Sequence, residues 1–332
     1  MVATIVDVAK LAGVSIGTVS NVINNKVKVS LDKTERVLDA IEKLNFQPSI
    51  SARALKKKKT NSIALLIPEI ARPFYNMLIE GIERATSENG YDLILYRTFR
   101  DPIMETKFLK LLGEKKVDGV ILVSIVIDDK ALDVVINNKY PVVLLEKHEM
   151  ISSVYIDNRK AAFKAVEYLI ELGHRKIIFI NGSTKTVPGM MRFQGYIEAL
   201  SKYSLPFDNN LYFEGEFEVE DGRDAIIKIL SEHEATAVFA GSDTIAIGVI
   251  KGLESLGLSV PEDISLVGFD DIWMASMIIP SLTTIKQPIF EMGYEAVEML
   301  VDIINNGEKM MTGKEFETEL IIRKSCRSLN EE

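Results

Sequence analysis

The groups best suited to chemistry lie beyond residue 60, at the ends of short apolar runs: Glu146, Ser183, Phe217, Ser242, Asp243, Asp270 and Asp271. Carboxylates, hydroxyls and an aromatic ring gathered at strand ends suit the binding of a small molecule in a cleft. Catalysis has less support. The sequence holds no GxxxxGK[ST] phosphate loop, no GxGxxG after the first strand of either half and no GxSxG elbow. Acidic residues scattered over loops are no evidence for a paired-carboxylate hydrolase. His148, His174 and His233 stand far apart, and Cys326 is the only cysteine, which excludes an internal disulfide and a zinc site built on cysteine pairs. No catalytic residue, metal or cofactor is expected, and an enzyme is the least favoured class.

A second set of hydrogen-bonding groups sits near the start, in VSIGTVSNVINN (14–25), where Val19, Val22 and Ile23 share one helical face and Gly17, Ser20, Asn21 and Asn24 the other. The flanking residues explain the arrangement. Thr4 can cap a helix whose third position is Asp7, with Ile5, Val8, Ala9 and Ala12 at helical spacing, and Gly13 ends it. Ser15 caps the next helix only two residues later. Two helices joined so tightly cross closely, which calls for the small Ala9, the glycine in the turn and the apolar anchor Val19. This is a helix-turn-helix, and a helix that enters the major groove needs a slim outer face of short polar groups. A third helix, Ser30 to Asn45, has Val37, Leu38, Ile41 and Leu44 to close a small core.

Charge supports that reading. The chain of 332 residues carries a net charge of −9, yet residues 1–60 hold eleven Lys and Arg against five Asp and Glu, an excess of +6 that leaves −15 for the remainder. A small basic module on an acidic body attracts a polyanion. No apolar run approaches the roughly 20 residues of a membrane span, and MVATIVDVAK carries Asp7 where a secretion signal would be uncharged, so a cytoplasmic protein is expected.

After the third helix comes FQPSISARALKKKKTNS (46–62), in which SISARAL can form two turns of helix and Leu55 is an apolar side chain on a basic background, suited to a wedge between base steps of the minor groove. From Asn61 the pattern changes to β-rich apolar runs separated by helices: SIALLIP, YDLILY, GVILVS and PVVLLE, then, after YID and a helix from Arg159 to Leu172, KIIFING, LYFEGEF, TAVFAGSD and ISLVGFDD. Continuous apolar strands alternating with helices predict parallel sheets covered on both faces, hence two doubly wound subdomains with a ligand cleft beyond the strands' carboxyl ends. The expected domains are a helix-turn-helix over 1–47, a hinge and linker over 48–60 and an effector-binding body over 61–332, whose first subdomain takes about 61–157 and 288–312 and whose second takes about 158–286 and 313–332.

With these elements assembled, residues 4 to about 325 resemble the lactose/galactose repressor (LacI/GalR) family of bacterial transcription regulators. TIVDVAKLAGVSIGTVSNVIN is similar to its N-terminal signature, and RFQGY, GSDTIAIG, VPEDISLVGFDD and LTTIKQP to its body motifs. The resemblance implies an all-α helix-turn-helix domain plus a periplasmic-binding-protein-like α/β body. It implies a homodimer on a pseudo-palindromic double-stranded DNA operator, with recognition helices in major grooves and hinge helices in the minor groove. Carried over by motif, Thr4, Ser15, Thr18, Ser20 and Asn24 would bind phosphates or hold the helix in register, Ile16, Gly17 and Asn21 would face the bases, and Ala52 and Leu55 would enter the minor groove. Most members have arginine where this chain has Asn21, and asparagine pairs with adenine where arginine favours guanine, so the operator is expected to depart from the usual half-site.

For the body the resemblance implies that Arg192 forks ligand hydroxyl or carboxylate groups, that Asp270 is an acidic contact and that Phe217 stacks on the ligand, with Glu146, Ser242 and Gln287 at further pocket positions and Phe74 and Arg72 on the opposite wall. Such a set suits a neutral sugar. The implied function is a DNA-binding repressor whose operator affinity is set by a small molecule, with a catabolite-control-type regulator governed by a protein coregulator as the alternative. A pure sugar-binding protein shares the two-lobed architecture but predicts an export signal and no basic module.

Overall fold

The computed structural model of the chain describes residues 3–24, 29–46, 59–99, 101–123, 129–307 and 311–330. These fall into two compact units, Met1–Thr60 and Asn61–Glu332.

In the first unit, α1 (Ile5–Ala12), α2 (Ile16–Asn24) and α3 (Leu31–Lys43) surround a core of Val8, Ala9, Ala12, Val19, Val37, Ala40 and Phe46. The helix start is the expected capping box: Thr4 N–H and Oγ1 donate to Asp7 Oδ2 at 2.9 and 2.6 Å, and Asp7 N–H donates back to Thr4 Oγ1. These bonds favour the carboxylate and hold the Asp7 pKa below its usual value. Gly13 ends α1 with φ +64°, a left-handed conformation that glycine adopts without penalty, and α2 leaves at 104°. One expectation fails: Leu38 is 55% exposed, while Ala40 and Phe46 join the core. The hinge positions Ala52 and Leu55 lie outside the described residues.

The second unit contains two sheets. In the first, β1 (Ser62–Ile67), β2 (Asp92–Arg97), β3 (Gly119–Leu122), β4 (Val142–Leu144), β5 (Ser153–Ile156) and β11 (Gly313–Phe316) are parallel in the order β11-β5-β4-β3-β1-β2. In the second, β6 (Ile177–Asn181), β7 (Tyr212–Glu214), β8 (Ala237–Ala240), β9 (Ser265–Asp270), β10 (Thr283–Lys286) and β12 (Glu319–Ile321) follow the order β12-β10-β9-β8-β6-β7, with β12 antiparallel to β10. Central strands such as β6, β8 and β9 are buried along their whole length, which is why they read as unbroken apolar runs. The chain crosses between lobes after β5, after β10 and after β11. Because β11 pairs with β5, residues 313–316 complete the first lobe rather than opening the last segment of the second. The run LYFEGEF is strand only through Glu214: Gly215 abuts the Asp221 carboxylate, and Phe217 takes φ +66°.

Helices cover both faces, and in the second lobe α9 (Val219–Glu232) and α10 (Asp243–Ser255) meet through reciprocal glycines. A Cβ on Gly222 would collide with the Ile245 carbonyl, and one on Gly248 with the Val219 carbonyl. Backbones this close leave no space for a methyl. Gly248→Ala is therefore expected to destabilise the body by roughly 1–3 kcal/mol through overpacking, read as a lower denaturant midpoint; an unchanged midpoint would mean that the helix pair is free to separate.

Candidate functional site

Arg192 sits two turns into α8 (Val187–Lys202), a helix opened by Pro188 in its first turn and by Thr186, whose hydroxyl accepts the Gly189 N–H. This placement drives the side chain into the interior, where it is 5% exposed. Its fork is held at every corner: Nε donates to Asn158 Oδ1 at 2.9 Å, Nη1 donates to the Gly241 carbonyl, and Nη2 lies 3.7 Å from Asp270 Oδ1. The guanidinium plane lies 3.7 Å from the centre of the Phe269 ring. Burial works against its charge and lowers its pKa, while the carboxylates of Asp270 and Asp243 oppose that shift.

Asp270 ends β9 with φ +115° and Asp271 follows at +56°, a left-handed pair that non-glycine residues adopt only when surroundings dictate it. The surroundings do so here. Gln287 Nε2 donates to Asp270 Oδ1 at 2.6 Å, and Arg323 Nη2 donates to Asp271 Oδ1 at 2.7 Å. Burial raises the Asp270 pKa to about 6 despite the opposing pull of Arg192 and Gln287. Asp243, fully buried, receives Thr284 Oγ1 at 2.6 Å and the Ile272 N–H at 2.9 Å, and burial pushes its pKa well up. Of the seven strand-end groups singled out first, Asp243 and Asp271 thus fasten the framework. Ser183 contributes a carbonyl to the Thr186 hydroxyl.

Phe217 lies flat on Gly182, whose missing side chain makes the space, and its ring centre is 5.8 Å from the Arg192 guanidinium and 6.0 Å from that of Arg72. Ser242 caps α10 by accepting the Ile245 N–H at 3.2 Å. From the other lobe Phe74 presents its ring, packed edge to face with Tyr75 at 5.3 Å. Two adjoining cavities result. The smaller, about 70 Å³, is lined by Phe217, Ser242 and Asp270 together with Arg72, and the larger, about 710 Å³, by Glu146 and Gln287; Phe74 and Arg192 line both. All seven expected ligand-site residues therefore border one continuous cleft. Asn158, which orients Arg192, escaped the sequence reading: it is the first residue of α7 (Asn158–Glu171), at the first crossing between lobes, and its type and spacing carry no signal.

In the helical unit, Ile16 is 49% exposed, Gly17 is exposed, and Asn21 is half-buried. Ser15 Oγ accepts the Thr18 N–H at 3.2 Å and lies 3.0 Å from Thr18 Oγ1, which caps α2. Asn24 Nδ2 donates to the Ser20 carbonyl at 2.7 Å and to Ser20 Oγ at 3.3 Å. Thr4, Ser15 and Asn24 thus all carry bonds that fix helix ends. Among the described residues no single helix is long and apolar enough to cross a membrane, and none of their His, Cys, Asp and Glu side chains form a group of three or more that could hold a metal ion.

Residues 4–49 match the model of bacterial regulatory proteins of the lacI family, and residues 166–326 that of a periplasmic binding protein-like domain. The HTH-type transcriptional regulator DegA of Bacillus subtilis (strain 168) is 35% identical over 337 residues, covering 99% of this chain and 100% of DegA. Among solved structures, the complex of the transcriptional regulator CelR with cellobiose is similar at 34% identity and TM-score 0.74, covering 97% of this chain and 99% of CelR. The lac repressor dimer bound to operator and the anti-inducer ONPF is similar at 27% identity and TM-score 0.85, covering 99% of this chain and 100% of the repressor chain. A helix-turn-helix followed by a two-lobed body, matched from end to end by such a regulator, means that the chain belongs to the lacI family of bacterial regulatory proteins and is a DNA-binding transcriptional regulator.

Proposed function

We propose that the chain represses transcription from a pseudo-palindromic operator as a cytoplasmic homodimer, without catalysis, and that an uncharged sugar in the cleft sets its operator affinity. One observation carries the ligand assignment: the buried, fully forked Arg192 beside Asp270 with the Phe217 ring at 5.8 Å. A ring face packs against Phe217, hydroxyls bond to Arg192, Asp270, Glu146 and Gln287, and Phe74 closes the far side. In the small cavity both guanidiniums already have carboxylate partners, Asp270 for Arg192 and Glu69 and Glu218 for Arg72, which favours an uncharged group at that end of the cleft. The CelR neighbour bound to cellobiose supports the same class.

On the DNA side, Ile16, Gly17 and Asn21 face base edges, and Thr4, Ser15, Thr18, Ser20 and Asn24 engage phosphates or hold the helix that does. Trp273, Met277 and Ile279, respectively 60%, 69% and 90% exposed within seven residues of chain, offer apolar surface suited to a second copy of the protein.

Three outcomes test this reading. A thermal-shift screen against mono- and disaccharides, sugar phosphates and purines should yield a neutral sugar that stabilises the protein, by about 2.7 kcal/mol at a hundredfold excess over Kd. Arg192→Ala should abolish the shift; a protein that no small molecule stabilises would favour a protein coregulator. That sugar should bind more weakly as pH falls through about 6, because a hydroxyl donor needs the Asp270 carboxylate. Stability of the unliganded protein should move the other way. The folded pKa lies above the ordinary aspartate value of 3.8, so the contribution is fully present below 3.8 and lost as pH rises through about 6. Titration calorimetry and melting at several pH values separate the two effects, and a pH-independent Kd would remove Asp270 from the contact set. Finally, Asn21→Ala should relax base preference at one operator position by roughly 1–3 kcal/mol, measured by competition among operator variants; undiminished preference would place Asn21 away from the bases.

A further inference from the structure

Arg72 closes one edge of the cleft in a way that the ligand assignment does not use. It precedes α4 (Pro73–Glu88) at the carboxyl end of β1, so its backbone belongs to the first lobe, yet its side chain is bonded to the second. Nη2 donates to the Glu216 carbonyl and to Glu218 Oε1, both at 2.6 Å, while Nε pairs with Glu69 on its own lobe. The Arg72 side chain is only 11% exposed. A guanidinium so placed serves as a planar fork that spans the gap between the two halves.

The acceptor on the second lobe is built in advance. Asp221 Oδ2 accepts the N–H groups of Glu216 and Glu218 at 2.7 and 2.8 Å, and Gly215 has no side chain where that carboxylate packs. Three consecutive residues are thereby set: Glu216 with its carbonyl towards Arg72, Phe217 at φ +66° with its ring on Gly182, and Glu218 capping α9 with its carboxylate towards Arg72. The loop that carries the aromatic wall of the cleft also carries both anchors for the other lobe.

We infer that Arg72 is a positioning residue that clasps the two lobes shut through the Glu216–Glu218 loop and so sets the open–closed balance on which any cleft ligand acts. A ligand that fits against Phe217 meets a wall already tied to the first lobe, and one that displaces the loop releases the tie. Occupancy of the cleft and the angle between lobes are coupled through one side chain. Only the role given to Phe217 rests on the proposed sugar site; the clasp itself does not.

The test uses the full chain without ligand. In a Cys326→Ser background, cysteines placed at the exposed Ser87 and Lys251, one on each lobe, carry spin labels, and labelled protein is mixed with excess unlabelled protein so that each dimer holds one pair. Electron–electron double resonance then reads the interlobe distance. Wild type should give one narrow distribution. Arg72→Ala should give a broader, longer one. Glu218→Gln, at a side chain 47% exposed and outside the core, should shift partway because the Glu216 carbonyl remains, and the double variant should go no further than Arg72→Ala. Arg72→Lys, which keeps the charge but loses the fork, should fall between wild type and Arg72→Ala. Distances in Arg72→Ala and Glu218→Gln that match wild type, with melting temperatures near wild type, would overturn the clasp. If Arg72→Ala does not fold, Glu218→Gln and Arg72→Lys decide alone. Failure of the sugar screen leaves these distances unaffected, so the two readings stand or fall separately.

Discussion

Placing a guanidinium in the floor of a protein cleft is the constraint from which most of the body's detail follows. Taking an ion out of water costs several kcal/mol unless its donors are met in plane and its charge is opposed. Arg192 meets the condition with partners from three separate places: Asn158 at the first crossing between lobes, the Gly241 carbonyl just after β8 and Asp270 at the end of β9. Any shift of one strand against the next would leave a donor unpaired. The parallel register of β8 and β9, the left-handed turn at Asp270 and the position of the crossing all serve that one group.

The same constraint explains why charge in the cleft is balanced before a ligand arrives. Asp270 is held by Gln287 as well as Arg192, and Asp271 is drawn away by Arg323. Around Arg192 and Asp270 the site offers directional hydrogen bonds, which discriminate among polar molecules by shape and hydroxyl placement. One apolar cluster runs through both lobes, from Ile63 and Val143 in the first to Phe179 and Phe239 in the second, and polar ties across the cleft set the open–closed balance on top of it. A ligand with different affinity for the open and closed arrangements shifts that balance by no more than the difference.

Much of this was legible in the residues. Caps and turns are local chemistry, so Thr4, Asp7, Gly13 and Ser15 announce the first two helices, and strands buried on both faces announce the parallel sheets. Pocket residues at strand ends were found because the topology puts ligands there. What stayed hidden depends on distant partners. Leu38 matches the helical period of Val37, Ile41 and Leu44 but stays 55% exposed, while Phe46, beyond the helix, joins the core. Residues 313–316 carry no apolar run, and only pairing with β5 assigns them to the first lobe. Asn158 and the reach of Arg72 across the cleft are properties of two lobes brought together, which no window of sequence contains.

One chain joins a helix-turn-helix to a cleft built around Arg192, and the two are proposed to communicate. Operator binding by fluorescence anisotropy, with a fixed salt concentration and with or without the sugar that stabilises the protein, tests that communication most directly for wild type and Arg192→Ala. Sugar should change operator affinity in wild type and leave that of Arg192→Ala, whatever its value without sugar, unchanged. Equal responses to sugar in the two proteins, or no response in either, would contradict it.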